Sequence, residues 1–248
     1  RRKNQTRRRI SIMLLGGIDG CKGGWLVIFK NEGAFSYEIV SSIEMLNQRF
    51  LQPSRFFIDM PIGLSSEGFT RTLETTLRTE LQSRRSTIFN PPTREATYEP
   101  DRDKAKQLNK RIEGKSLSEQ TLNIKSKICE LDHFLLHQKS TAFELIESHP
   151  EICFKYLNRG KVLQSKKSTS GGIEDRLTLL SRYDQDAYAL YQEILKNTQR
   201  KWVKRDDILD ALVLCISNEL SVLKKTYYFE DQNIQDLKGL KIRLAYFK

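Results

Sequence analysis

The chain has 248 residues, a formal net charge of +11 and a hydrophobic content of 38%. This length accommodates one large domain or two small ones, with enough apolar residues for a substantial core. No apolar run approaches the roughly 20 residues of a membrane-spanning helix, so a membrane protein is not expected, whereas the positive charge is compatible with a phosphate-bearing partner.

The first twelve residues carry six of the 42 basic side chains and no acidic one. Without them the chain has 36 basic against 31 acidic residues, a net charge of about +5. The segment lacks the apolar stretch of a secretory signal. We interpret residues 1–12 as a basic, flexible N-terminal extension, either a solvated tail or a nucleic-acid-binding arm, and Met13 as a candidate native start.

Strands dominate the region that follows this extension. Apolar runs at residues 14–19 and 25–29 flank a glycine-rich turn, which is typical of a hairpin. We expect a third strand at residues 37–40 and then a helix at residues 41–50. A short apolar run at residues 56–58, ended by a proline and a glycine, predicts a buried fourth strand.

Helices dominate the rest of the predicted structure. Residues 64–138 are predicted to be mainly helical, with an interruption at the two prolines of residues 90–92. The remaining predicted elements are a strand at residues 141–146, helices at 173–197 and 206–224, and a final strand at 241–246.

This order of elements predicts an α/β fold. Consecutive strands favour antiparallel pairing, whereas strands separated by helices favour parallel pairing. We therefore expect a mixed sheet flanked by helices. The sequence shows no internal repeat or low-complexity linker, so we predict one domain over residues 13–248, with residues 64–140 as a helical insertion within it.

Acidic residues are the strongest candidates for a functional site. Asp19, Asp59 and Glu147 each end a predicted strand, and functional groups gather at the carboxyl edge of open α/β sheets. Asp207 and Asp210 are three residues apart and share one face of the last predicted helix. Buried carboxylates cost several kcal/mol unless a cation or hydrogen-bond donors compensate them. Oxygen ligands without a Cys/His cluster favour Mg²⁺ or Mn²⁺ over zinc.

Structural interpretations of these residues stay open. Asp206 and Asp207 fit the N-terminal cap of a helix, although a cap does not explain Asp210. Asp59 is also suited to a turn before the proline that follows it. His149 is a candidate acid or base, and equally a residue that holds a strand end by hydrogen bonding.

The cysteines favour reduced thiols in a cytoplasmic protein. The four of them are widely separated, and none belongs to a Cys-x-x-Cys pair. They are Cys21, Cys129, Cys153 and Cys215.

Five segments in order resemble the motifs of one family. They are residues 17–25 (GIDGCKGGW), 58–64 (IDMPIGL) and 147–151 (ESHPE), the basic segment with Lys167 and Arg176, and residues 206–211 (DDILDA). The chain thereby resembles the DUF429 family of predicted nucleases with a ribonuclease H-like fold. One departure is that the family's Arg-x-Cys-Asp segment here reads Arg-Thr-Leu-Glu from Arg71 to Glu74.

The resemblance implies a core similar to that of Holliday-junction resolvases. Such a core carries acids on the first strand, the fourth strand and the last helix, here Asp19, Asp59, Asp207 and Asp210. Glu147 is an additional family-type acid on the fifth strand.

Basic residues are candidates for contacts with a phosphate backbone, although such residues are commonly solvated surface. We select Lys167, Arg176, Arg71 and Arg85 as substrate-binding candidates. Trp25, by contrast, is expected to belong to the core.

The leading functional hypothesis is a magnesium- or manganese-dependent nuclease that hydrolyses phosphodiester bonds at a two-metal site. Its candidate catalytic residues are Asp19, Asp59, Glu147, Asp207 and Asp210, and all except Glu147 are candidate metal ligands. One alternative is an ATP-dependent phosphotransferase of the actin-like or sugar-kinase type, because Asp19, Gly20 and Gly23 resemble the first phosphate loop of those enzymes. Another is a non-catalytic nucleic-acid or protein-binding module.

Overall fold

The structure is a computed structural model that describes residues 13–138 and 140–248. The basic extension at residues 1–12, including its interpretation as a flexible arm, lies outside the described residues. No helix in the described part of the chain combines the length and the apolar character needed to cross a bilayer.

A five-stranded mixed sheet forms the centre of the molecule. Strands β1 (Leu14–Cys21), β2 (Gly24–Asn31) and β3 (Ala34–Val40) form an antiparallel meander. Strands β4 (Ser54–Ile58) and β5 (Phe143–Glu147) extend it in parallel, in the order β3-β2-β1-β4-β5. The predicted mixed sheet is therefore confirmed, and it is consistent with a ribonuclease H-like fold.

Helices flank this sheet. Among the described residues, four of them lie between β4 and β5 along the chain, in the stretch interpreted above as an insertion. The helices are α1 (Leu46–Arg49), α2 (Leu73–Leu81), α3 (Arg94–Tyr98), α4 (Arg102–Glu113), α5 (Glu119–His137), α6 (Pro150–Leu157), α7 (Ser170–Ser181), α8 (Ala187–Asn197) and α9 (Arg205–Leu223). Short 3₁₀ helices precede α1 at Ile43–Met45 and follow α2 at Gln82–Thr87.

Helix α9 packs directly on β1, and a glycine permits this close approach. A Cβ atom on Gly17 would lie 2.2 Å from the carbonyl oxygen of Ala211 and 2.4 Å from the amide nitrogen of Cys215. The larger of two main cores forms on this face of the sheet and includes Leu212 and Phe57. The last strong helix of the sequence is thus the central helix of the fold.

The other face of the sheet is covered by α5. Ile128 and Leu131 pack there against Phe56 and Trp25 in a second core. The Trp25 indole is fully buried and donates from Nε1 to Glu130 Oε1 at 3.0 Å. The expectation that Trp25 belongs to the core is confirmed.

A second, two-stranded sheet follows α9. Strand β6 (Thr226–Gln235) pairs antiparallel with β7 (Lys241–Phe247). The strand predicted at residues 241–246 is present, whereas its partner β6 was not predicted. Most of β6 is half-buried or exposed, and its second half is rich in polar residues, so it lacks the apolar alternation that identifies a strand.

Two features of the helices also differ from the prediction. Helix α6 was not predicted, and Pro150 is suited to begin it because the first position of a helix needs no amide donor. The helix predicted at residues 173–197 is divided into α7 and α8 by a turn at residues 182–186. All four cysteines are free thiols, as expected.

Candidate functional site

Strands β1 and β4 bring Asp19 and Asp59 side by side. The parallel register pairs Ile18 with Ile58, and the amide of Asp59 donates to the carbonyl oxygen of Ile18 at 3.0 Å. Side chains alternate along a strand, so Asp19 shares the face of Gly17, on which α9 packs. Asp59 likewise follows Phe57, which belongs to the core on that same face. Both carboxylates therefore point towards α9.

Helix α9 supplies two further acids with different roles. Asp207 lies in the first turn, where one carboxylate oxygen accepts from the amide of Lys204 at 2.8 Å. The N-cap residue of α9 is Lys204 rather than Asp206 or Asp207, but this bond is the capping-box contact through which Asp207 stabilises the start of the helix. Asp210 lies one turn further in and is only 3% exposed. It faces the strand-end acids.

The four acids form an electrostatically strained cluster. Burial, followed by repulsion from Asp210, Asp59 and Asp207, raises the pKa of Asp19 well above its ordinary value. Burial raises the pKa of Asp59 to about 6, although Lys167 opposes this change. Burial also raises the pKa values of Asp207 and Asp210 to about 6. Ionising all four carboxyls together is therefore unfavourable unless a further cation enters the cluster.

Lys167 is the cation of this acidic cluster. Its ammonium group hydrogen-bonds Asp210 Oδ2. Burial lowers the pKa of Lys167, but the attraction of Asp210, Asp19 and Asp59 outweighs burial and raises the pKa above its usual range. Its side chain is one-third exposed, so it can be reached from solvent. Lys167, expected to contact phosphate, thus lies at the acidic site.

A cavity of about 280 Å³ opens beside the cluster. Its lining includes Asp59, Lys167 and Asp210 together with His149. The Nδ1 atom of His149 is buried without a hydrogen-bond partner, and burial lowers the pKa of His149 to about 4. The imidazole is therefore neutral at pH 7 and faces a space large enough for a polar ligand.

Glu147 and Arg71 form a separate buried ion pair. Alternation along β5 puts Glu147 on the face of Phe143, whereas Ile146 shares the core of Phe57. The Glu147 carboxylate accepts from Arg71 at 2.5 and 3.0 Å and from the amide of Ile62 at 2.7 Å. The structure therefore does not bring Glu147 into the acidic cluster, although its backbone ends the strand beside Asp59.

The donors of Arg71 are fully engaged within the protein. Its guanidinium also bonds Glu74 at 2.8 Å and the carbonyl oxygens of Ile62 and Gly63 at 2.9 Å each. The side chain is 1% exposed. This arrangement ties the loop after β4 to β5, and it leaves no donor for a phosphate contact. Here Glu74 stands where the family's Arg-x-Cys-Asp segment has Asp. The ion pair between the arginine and the acid of this segment is therefore still present, as Arg71–Glu74.

Arg176 supports the loop that carries Lys167. It is fully buried, donates to Glu151 at 2.8 Å, and bonds the carbonyl oxygens of Ser165 and Gly172 at 3.1 and 3.0 Å. The geometry gives Arg176 a supporting position rather than an exposed phosphate-facing one. Arg85, in contrast, is exposed in the 3₁₀ turn that borders the cavity.

Glu151 was not identified as a site residue from the sequence. It lies in the first turn of α6, lines the cavity and bridges Arg176 and Arg84. Its charge also raises the pKa values of Asp59 and Asp210. The available signal was its position one residue after Pro150, because an acid in the first turn of a helix is favoured by the helix dipole.

Within residues 13–138 and 140–248, no three His, Cys, Asp or Glu side chains form a ready-made metal cage. The acids are close enough to perturb one another's pKa values, but Lys167 takes one of the positions that a cation would occupy. The chemistry of the donor set nevertheless fits a hard divalent cation, because several buried carboxyl groups supply oxygen ligands whose ionisation a cation would favour.

A family model described as "Protein of unknown function (DUF429)" matches residues 17–221. The chain belongs to the DUF429 family. The matched region contains Asp19, Asp59, Asp207 and Asp210, together with Lys167, whereas the β6–β7 sheet of this DUF429 chain lies outside it. Searches of the curated proteins and of the solved structures returned no match.

Proposed function

We propose that this DUF429 protein is a divalent-metal-dependent hydrolase that cleaves phosphodiester bonds in nucleic acid. The observation that carries the proposal is the convergence of Asp19, Asp59 and Asp210, from β1, the end of β4 and α9, as buried carboxyls whose pKa values are all raised, chiefly by burial. Buried carboxylates from separate chain segments are the ligand set that Mg²⁺ or Mn²⁺ requires.

Asp19, Asp59 and Asp210 would hold the ion, and Asp207 would adjust the local charge from the first turn of α9. The ion, when bound, would supply water activation and charge stabilisation at the departing oxygen. Asp207 already bonds the amide of Lys204, so its carboxylate has one oxygen free of that bond.

Lys167 would connect the acids to the substrate. Its ammonium group now compensates Asp210, and it is accessible from the cavity. A phosphate group entering the cavity offers Lys167 a second anionic partner. Lys167 would exchange its bond with Asp210 for one with a phosphate oxygen, which frees Asp210 as a ligand.

His149 would orient a polar group in the cavity. Because burial lowers its pKa to about 4, it is neutral at the pH of the reaction. Its ring lines the cavity, and a neutral imidazole is suited to hydrogen-bond a water molecule or a substrate hydroxyl beside Asp59.

The proposed partner is nucleic acid, and the proposed location is the cytoplasm. The net charge of +11 supports an interaction with a polyanion. Four free thiols without a disulfide are typical of a reducing compartment.

The test is cleavage of labelled single-stranded, duplex, hybrid and branched nucleic acids in Mg²⁺ or Mn²⁺. We expect the parent to cut at least one substrate, and Asp19→Asn and Asp210→Asn to lose about 100-fold or more of this activity, because each removes a proposed ligand. Asp103→Asn is the matched control, since this acid is exposed on α4.

Equal cleavage by the parent and both site variants would overturn the proposal, as would a parent that cuts none of the substrates. ATP hydrolysis in the same buffers, without cleavage of nucleic acid, would favour a phosphotransferase instead.

A further inference from the structure

We propose that Trp202 is a stacking platform for a base of single-stranded nucleic acid that leads into the acidic site. This inference rests on the proposed nucleic-acid partner and adds a binding site for it. The chain has two tryptophans, and they differ sharply in exposure: Trp25 is fully buried, whereas Trp202 is 46% exposed. An exposed indole offers the flat apolar surface on which nucleobases stack.

Cations surround this ring. The ammonium groups of Lys22 and Lys201 lie 5.9 and 5.3 Å from the centroid of the Trp202 ring. Residues 198–205 contain four basic residues and no acid, and all four are exposed: Arg200, Lys201, Lys204 and Arg205. An aromatic ring combined with positive charges matches a strand that alternates flat bases with phosphates.

The platform lies at the edge of the acidic cluster. The amide of Gly23, in the turn between β1 and β2, donates to the carbonyl oxygen of Trp202 at 3.0 Å. Asp19 lies on β1 just before this turn, and Asp207 lies in the first turn of α9 just after Trp202. This hydrogen bond therefore holds Trp202 against the turn of the hairpin that carries the first acid.

The combination favours single-stranded nucleic acid over other polyanions. An acidic peptide can pair with Lys22 and Lys201 but provides no row of flat rings for the indole. A duplex presents phosphates while its base faces stay stacked inside the helix. A single strand uses both the ring and the surrounding charges.

The test is quenching of tryptophan fluorescence by an oligothymidylate, measured in EDTA so that no cleavage occurs. Because Trp25 is buried, quenching by stacking reports on Trp202. We expect Trp202→Ala to remove the quenching and to weaken binding, measured by anisotropy of a labelled strand, about tenfold. Trp202→Phe keeps a flat ring and should retain most of the affinity.

Tyr188→Ala is the matched control. Tyr188 is 45% exposed, like Trp202, but it follows Asp184 and Asp186 rather than basic residues. Its loss should leave binding unchanged. The inference is overturned if Trp202→Ala binds the strand as tightly as the parent, or if duplex DNA or an oligoglutamate peptide quenches the parent equally well.

The two proposals fail separately. If the parent cleaves nothing in Mg²⁺ but binds the strand in EDTA through Trp202, the stacking platform is supported and the hydrolase proposal is contradicted. If cleavage depends on Asp19 but Trp202→Ala does not change binding, the hydrolase proposal is supported and the stacking platform is contradicted.

Discussion

Asp59 shows how burial and charge act on one residue of the site. No hydrogen bond to its carboxylate is present among the described residues, and its pKa rises from an ordinary 3.8 to about 6. A carboxyl whose pKa is higher in the folded than in the unfolded protein destabilises the fold once it is ionised. The cost is absent below pH 3.8 and is fully present above pH 6.

We therefore expect Asp59→Asn to stabilise the protein in metal-free buffer at pH 7.5. A shift of about 2 pKa units corresponds to at most about 3 kcal/mol, so a gain of about 1–3 kcal/mol in the free energy of unfolding is expected. The gain should shrink as the pH falls through 6 towards 3.8, because the parent becomes protonated. Urea denaturation across this pH range measures it.

Asp103→Asn should change the free energy of unfolding little across the same pH range, since Asp103 is exposed on α4. A less stable Asp59→Asn variant at pH 7.5 would contradict the strain attributed to the cluster.

The sequence predicted which acids meet at the site where their positions depend on the end of a strand or on the spacing along a helix. Asp19, Asp59 and Asp210 meet because two neighbouring parallel strands end beside one helix. Glu147 also ends a strand, but the alternation of side chains along β5 turns it towards Arg71. The strand-end pattern alone carried no information on which face each side chain takes, and a period-two reading of β5 would have supplied it.

At the scale of elements, the contact between α9 and β1 sets the position of the site. Gly17 lets the helix backbone approach the strand, with Ala211 and Cys215 against it. Asp19 lies two residues beyond Gly17 on the same face of β1, and Asp210 precedes Ala211. The distance between strand and helix therefore determines the distance between their acids.

We expect Gly17→Ala to destabilise the protein by at least about 2 kcal/mol, because its Cβ would collide with the α9 backbone. Gly171→Ala is the matched control, since nothing lies within 4 Å of a Cβ at that position on α7. It should be neutral or slightly stabilising. Thermal denaturation of both variants measures the difference, and equal melting temperatures would contradict the direct packing of α9 on β1.

The sequence predicted the order of the elements correctly but missed some of the elements themselves. Helix α9 and strands β1, β2 and β4 have strong apolar patterns, and each is present. Strand β6 and helix α6 were missed because tertiary contacts stabilise them: β6 pairs with β7, and α6 packs against α9. Helix α6 has only eight residues, with Pro150 as its start signal, and only the first half of β6 has the aromatic run typical of a strand.

At the scale of the whole molecule, charge of opposite sign is separated over a short distance. The acids of β1, β4 and α9 gather at one edge of the sheet, while Lys22 and the basic segment at residues 198–205 lie around Trp202. The net charge is compatible with a polyanionic partner, but composition could not indicate which surface would bind it. The position of the proposed surface at Trp202 depends on how the loop before α9 contacts the hairpin.

The acids at this edge are proposed to form a site for a divalent cation. Calorimetric titration of Mn²⁺ into the full chain measures this binding without requiring a substrate. We predict saturable binding by the parent and by Asp103→Asn, and a loss of about 100-fold or more in affinity for Asp19→Asn. Absence of saturable binding by the parent, or unchanged affinity in Asp19→Asn, would contradict the claim.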